Sequence, residues 1–206
     1  EMPDNVAKQY RFNSEQLMRI WEGKVLGELC RVELLDGQLI DLGEITGPHM
    51  WTVNRASRAL HNVNREIGWV STQCPLIFDW HTTFLPDIVL LRRDDMTNDA
   101  PTVAEALIVI EVAEKQAIYE RTIKLPHYAE ANVAEMWICD LSNGRIERYT
   151  EPRNGKYQQL ATVGRGEQIA SRAFDLRPDD DRISRDRVDR DHRAPRAGDG
   201  PRDAAA

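Results

Sequence analysis

A carboxylate sits inside an otherwise apolar run. In Leu107-Ile108-Val109-Ile110-Glu111-Val112, Glu111 stands where an ionised group would lose its hydration. Upstream, Pro86-Asp87-Ile88-Val89-Leu90-Leu91 again sets an acid at the head of an apolar stretch. If the two runs are strands that pair antiparallel, the start of one lies beside the end of the other. Asp87 and Glu111 then converge at one edge of the sheet. Two carboxylates and a backbone carbonyl such as that of Val112 make an incomplete oxygen cage. It suits Mg²⁺, or Mn²⁺ in its place, which keeps its waters and accepts phosphate oxygens. The structural alternative pairs both acids with arginines, for which Arg92, Arg93 and Arg121 are available.

Lys124 follows Glu111 by thirteen positions, in the next helical stretch. A lysine near such a metal could orient or deprotonate water, or offset phosphate charge. Its plainer role is an i,i+4 ion pair with Glu120, which precedes it in the favourable orientation. Glu33 lies between Val32 and Leu34 in a strand and must point opposite to them. It is either a third acid near the metal or an exposed strand residue. His49, just after Gly47-Pro48, falls in the first turn of a helix, where a histidine is more often a hydrogen bonder than a catalyst. His61, His81 and His127 share no ligand spacing. No GxSxG, P-loop or GxGxxG is present, which leaves nucleophilic-serine and nucleotide-cradle chemistry without support.

The elements that must position these groups can be read in order. Asn13-Ser14 caps a helix carrying Leu17, Ile20 and Trp21. Asp36-Gly37 joins 31–35 to 38–42 as a hairpin. Gly47-Pro48 opens a helix with Val53, Ala56, Leu60 and Val63 at helical spacing. Short strands are predicted over 69–73 and 76–80, parted by Pro75, and another over 87–91. The run 106–112 reads as a strand buried on both faces. A helix over about 115–131 must be kinked or divided by Pro126. A meander follows over 136–141, 145–150 and 157–163, with Ser142-Asn143-Gly144 as its first turn. This is an α/β (α+β) domain on a mixed central sheet flanked by helices.

The chain has 206 residues, a net charge of -7 and 41% hydrophobic residues. That is enough for a core, and it predicts one folded domain over 1–178 with an appendage. A pI near 5.3 argues against attachment to nucleic acid by bulk charge, though not against a site where metal ions meet phosphates. No apolar run is long enough for a membrane span. Cys30, Cys74 and Cys139 form no CxxC pair and read as buried thiols. With no signal peptide visible at the N-terminus, the expectation is a reducing, cytoplasmic compartment. Residues 179–206 carry eight Asp and seven Arg with Ile183 and Val188 as the only large apolar side chains. Such a tail cannot offset its ordering entropy and is predicted to be disordered. The functional alternative is an arginine-bearing arm for nucleic acid or a partner.

Several short segments occur here in a fixed order. They are Glu33-Leu34-Leu35-Asp36-Gly37, Gly47-Pro48-His49, Gln73-Cys74-Pro75, Pro86-Asp87 and Ile110-Glu111-Val112-Ala113. Tyr119-Glu120-Arg121-Thr122-Ile123-Lys124-Leu125-Pro126-His127-Tyr128 and Glu135-Met136-Trp137-Ile138-Cys139-Asp140 complete the series. The ordered set resembles the Uma-two family of restriction endonucleases, a branch of the PD-(D/E)xK nuclease superfamily. The resemblance runs from about Ser14 to Phe174. It implies a restriction-endonuclease-like core with Pro86-Asp87 as the PD element and Glu111 as the second acid. The superfamily's lysine two positions after that acid is Ala113 here, and the resemblance implies that Lys124 on the next helix replaces it. Glu33 and His49 match positions that the family often carries near the site. Lys115 stands where a small polar residue is usual, and it competes with Lys124 for the lysine role.

These readings predict a Mg²⁺-dependent endonuclease acting on DNA, with Asp87 and Glu111 on the metal, Glu33 nearby and Lys124 directing the water. A homodimer would suit double-strand cutting. The rival is a nuclease fold used as a binding module for DNA or a protein, with weak or no catalysis.

Overall fold

The computed structural model describes residues 8–27, 31–63, 68–92, 99–115 and 117–171. Cys30, Arg93, the side chain of Val63 and the tail 179–206 lie outside the described residues. Among the described residues, two sheets and three α-helices form a mixed α/β architecture. Helix α1 (Ser14–Glu22) starts in a capping box: the Asn13 side chain accepts the Gln16 N–H, and the Gln16 side chain accepts the Asn13 N–H. Its fully buried Leu17 packs on Val32 and Leu34, with Trp21 and Leu39 beside them.

The hairpin of β1 (Val32–Leu35) and β2 (Gln38–Asp41) turns where predicted. Asp36 and Gly37 have φ of 50° and 81°, the left-handed pair that a tight two-residue turn needs. Helix α2 (Gly47–Val63) follows, then β3 (Trp69–Thr72), β4 (Leu76–Asp79), β5 (Thr82–Phe84) and β6 (Ile88–Leu91). Strand β5 was not predicted. It is three residues long and returns directly from β4, so no alternation had room to develop. The rest comprises β7 (Ala106–Ala113), a π turn (Glu120–Lys124) running into α3 (Leu125–Glu130), β8 (Glu135–Asp140), β9 (Arg145–Arg153) and β10 (Lys156–Val163).

The larger sheet has the order β10-β9-β8-β7-β6-β3, and the smaller β2-β1-β5-β4. In the larger one only β7 and β8 are parallel, joined through α3; the other neighbours are antiparallel. Ile88, Leu90, Ile108, Ile110 and Val112 point to one face, under Val53 and Leu60 of α2. Val89, Leu91, Val109 and Ala113 point to the other, where Phe84, Leu76 and Tyr128 close a second core. Strand β7 is thus buried on both faces, as its composition required. Cys74 and Cys139 are buried, and burial pushes the Cys139 thiol up to about 12. Among the described residues no helix is long and apolar enough to cross a membrane.

Candidate active site

Antiparallel pairing of β6 with β7 sets Ile88 opposite Ile110. The next pair outward brings Asp87 to the end of β7, where its Oδ2 accepts the Val112 N–H at 2.8 Å. Glu111 shares the strand parity of Val109 and Ala113 and faces α3, whereas Asp87, just before β6, turns its carboxylate to the sheet edge, where the Val112 N–H and His49 of α2 meet it. The convergence expected from two acid-tipped strands is present.

Glu33 reaches the same place from the smaller sheet. Val32 and Leu34 go to the α1 side, and Glu33, fully buried, goes to the other. Its Oε1 accepts the Leu85 N–H at 2.7 Å and lies 2.8 Å from Lys124 Nζ, while Oε2 accepts the Tyr119 hydroxyl at 3.1 Å. It is no exposed strand residue. Glu111 takes both of its hydrogen bonds on Oε1, from Lys124 Nζ at 2.9 Å and the Tyr128 hydroxyl at 3.1 Å.

Lys124 is 3% exposed and bridges Glu33 and Glu111 instead of pairing with Glu120. The cause is local. Residues 120–124 form a π turn, closed by the Leu125 N–H on the Glu120 carbonyl, which alters the usual i,i+4 facing. Pro126 falls in the first positions of α3, where its missing N–H costs little, so the proline coincides with a change of helix type and not a break. Arg121 fixes this turn to the sheet. It binds Glu147 through Nε at 3.0 Å and Nη2 at 2.9 Å, and Asp140 at 2.6 Å. Arg121 is therefore engaged away from the two acids.

The cation beside Asp87 is Arg31, whose Nη2 lies 3.3 Å from Oδ1. His49 Nε2 is 3.2 Å from both Asp87 oxygens, so His49 reaches from the first turn of α2 into the site and does not serve its own helix end. Sequence reasoning did not find Arg31, Tyr119 or Tyr128 as site residues. Tyr119 and Tyr128 stood in the quoted motif, whereas Arg31 meets Asp87 across 56 residues of chain and carries no local signal. Lys115, exposed, lines the mouth of the cleft. His61, His81 and His127 each bond a backbone carbonyl, at 2.9, 2.7 and 2.7 Å, and lie in structural roles.

The acids differ in electrostatic state. Burial alone would raise Asp87, but the His49 hydrogen bond, the charges of His49 and Lys124, and the Val112 amide together hold it below the usual carboxylate range. Glu111 is pushed up to about 8, by burial first, with Asp87 and Glu33 adding like charge that Lys124 does not cancel. Lys124 holds its proton more tightly than an ordinary lysine, because Glu111 and Glu33 outweigh the effect of its burial.

These groups face a cleft of about 620 Å³. Among the described residues no cluster of three His, Cys, Asp or Glu side chains forms a complete metal cage. Where β6 meets β7, the donors at the cleft wall are the Asp87 and Glu111 carboxylates and the Val112 backbone. They fit a hard divalent cation that retains most of its waters. A buried carboxyl that ionises only near pH 8 is also a group whose charge a divalent cation would relieve.

Among solved structures, a putative nuclease of DUF820 from Anabaena variabilis ATCC 29413 matches with a TM-score of 0.56 at 15% identity, covering 68% of this chain and 80% of that one. At that identity the likeness establishes a shared fold and no more. The family assignment comes from sequence: residues 15–177 match Uma2, described as a putative restriction endonuclease, and the chain belongs to that family. No curated protein matches the chain.

Proposed function

We propose that this protein is a Mg²⁺-dependent endonuclease that hydrolyses phosphodiester bonds of DNA, with Mn²⁺ able to replace Mg²⁺. The observation that carries this reading is the meeting of Asp87, Glu111 and Lys124, from two adjacent strands and a helix, on one wall of an open cleft. Asp87, Glu111 and the Val112 carbonyl would hold the cation, which supplies Lewis-acid polarisation of the phosphate and activation of a water.

The chain's own groups do the rest. Asp87 is kept ionised by His49 and the Val112 amide and needs no proton loss to act as a ligand. Glu111 must lose its proton, and Lys124, at 2.9 Å, stabilises the anion left behind. Glu33 also holds Lys124 and, anchored by Leu85 N–H and Tyr119, fixes where the ammonium points. The ammonium can then orient the attacking water by hydrogen bonding and offset charge that develops on the phosphate.

The test is cleavage of supercoiled plasmid and of single-stranded DNA with Mg²⁺ or Mn²⁺, with Asp87→Ala and Glu111→Ala as controls. Metal-dependent cutting by the wild type and its loss in both folded variants is the expected result. Undiminished cutting by the double variant would eliminate this mechanism. An inert wild type whose thermal stability ignores the metal would favour the binding-module reading.

A further inference from the structure

We infer that Arg31 is the residue that grips a nucleic-acid phosphate in the cleft, and that its present contact with Asp87 is a resting position. The inference rests on the nuclease reading above and adds the residue that receives the substrate backbone. Arg31 immediately precedes β1 and shares the parity of Glu33, two residues on, so it faces the cleft. Its backbone is fixed there, the Arg31 carbonyl accepting the Leu42 N–H at 2.9 Å.

The guanidinium is poorly used where it lies. It makes a single contact to Asp87 at 3.3 Å, longer than the roughly 2.7–2.9 Å of a strong charge-assisted bond. Its Nε is buried and has no partner. An arginine serving only to neutralise a carboxylate would present its fork and satisfy Nε and Nη together, as Arg121 does on Glu147. Asp87 is also supported without it, by the Val112 amide and His49. Holding a divalent cation would give Asp87 a stronger partner and set this fork free at the cleft wall. Two oxygens of a tetrahedral phosphate match the idle Nε and Nη.

Charge makes the same assignment. Six acidic side chains line the cleft against three basic ones, Arg31, Lys115 and Lys124. Lys124 gives two of its three N–H groups to Glu33 and Glu111, which leaves one for a water, and Lys115 is exposed at the mouth. A polyanion entering past those acids needs a fixed cation near the metal-binding end. Arg31 is the guanidinium among the residues lining it.

The experiment is equilibrium binding of a short fluorescent duplex across a salt series. Ca²⁺ is present to occupy the site without supporting cleavage, and Mn²⁺ affinity is measured separately by calorimetry on the DNA-free protein. Arg31→Gln and Arg31→Met, the second retaining an apolar stem, are compared with wild type. Either folded variant should bind DNA about 10-fold more weakly and lower the log–log salt slope by about 0.9, one phosphate contact. Its Mn²⁺ affinity should equal or exceed that of wild type, since Asp87 has lost a competing cation. Arg31→Lys should restore the salt slope with only part of the affinity, because an ammonium has no fork.

Unchanged DNA affinity and slope in Arg31→Gln or Arg31→Met would overturn the inference while leaving the nuclease reading intact. A fall in Mn²⁺ affinity matching the fall in DNA binding would also overturn it, by making Arg31 a support for Asp87. A wild type that binds no DNA in Ca²⁺ would overturn both together.

Discussion

Replacing Glu111 with glutamine should stabilise the metal-free protein at alkaline pH. A carboxyl that ionises near 4.5 when unfolded and near 8 in the fold keeps its proton longer in the native state. Between those values the native state binds more protons, so stability is full below about pH 4.5 and is lost as pH rises to about 8. At about 1.4 kcal/mol per pH unit, the ceiling on that loss is about 5 kcal/mol. Glutamine has nothing to ionise and still offers an amide oxygen to Lys124 Nζ and the Tyr128 hydroxyl, while Lys124 keeps Glu33. Neutral-for-charged hydrogen bonding costs about 1 kcal/mol. Glu111→Gln should therefore be no more stable than wild type near pH 5 but about 2–4 kcal/mol more stable near pH 9, with a flattened profile between. Urea unfolding in EDTA at pH steps from 5 to 9 measures this directly. Added Mn²⁺ should then stabilise wild type and leave the variant unmoved. A wild-type profile level across that range, or a variant with the same slope, would refute the placement of a strained proton on Glu111.

Three further outcomes follow from the same geometry. Lys124→Met should cut cleavage by about 10²-fold or more, while Lys115→Met leaves the rate within a few fold; comparing the two in a plasmid assay settles which lysine acts. Arg121→Met strips its guanidinium from Asp140, whose side chain has no exposure, and from Glu147, leaving Arg145 as the cation there. It should cost about 2–4 kcal/mol in urea unfolding and move the acid-unfolding midpoint to higher pH, because Asp140, which burial alone would raise, is held low by Asn143, Arg121 and Ser142. Tyr128→Phe removes one of the two hydrogen bonds on Glu111 Oε1, and should weaken Mn²⁺ binding measured by calorimetry several-fold with little change in fold, as outer-shell losses do.

Much of this arrangement was legible because it is carried by period-two alternation. Glu111 inside an apolar run and Asp87 at the head of another predicted that the acids meet once the strands paired, and they do. Glu33 between Val32 and Leu34 had to oppose them, but the sequence does not say whether that side meets water or a second sheet. Its burial depends on Leu85, Tyr119 and Lys124 closing over it, all more than fifty residues away in the chain. Strand β5 escaped because three residues hold no period. Lys124 was ambiguous for another reason: α-helical spacing pairs it with Glu120, and only the π turn sends it to Glu33 and Glu111. In place of the kink or division expected at Pro126, the helix changes from π to α hydrogen bonding there. Arg31 lay beyond reach, since nothing near it in sequence hints at Asp87.

The π turn at 120–124 holds one residue more than a regular helix would use for the same rise. Losing a single codon within it would give a helix with better hydrogen bonding, and a lysine swung by about 100° around the axis. The ammonium's bearing is therefore set by chain length as well as by residue type. One in-frame codon lost there would leave Glu33 and Glu111 buried without their shared cation, so a change in residue count alone would strike both the site and the stability of the domain.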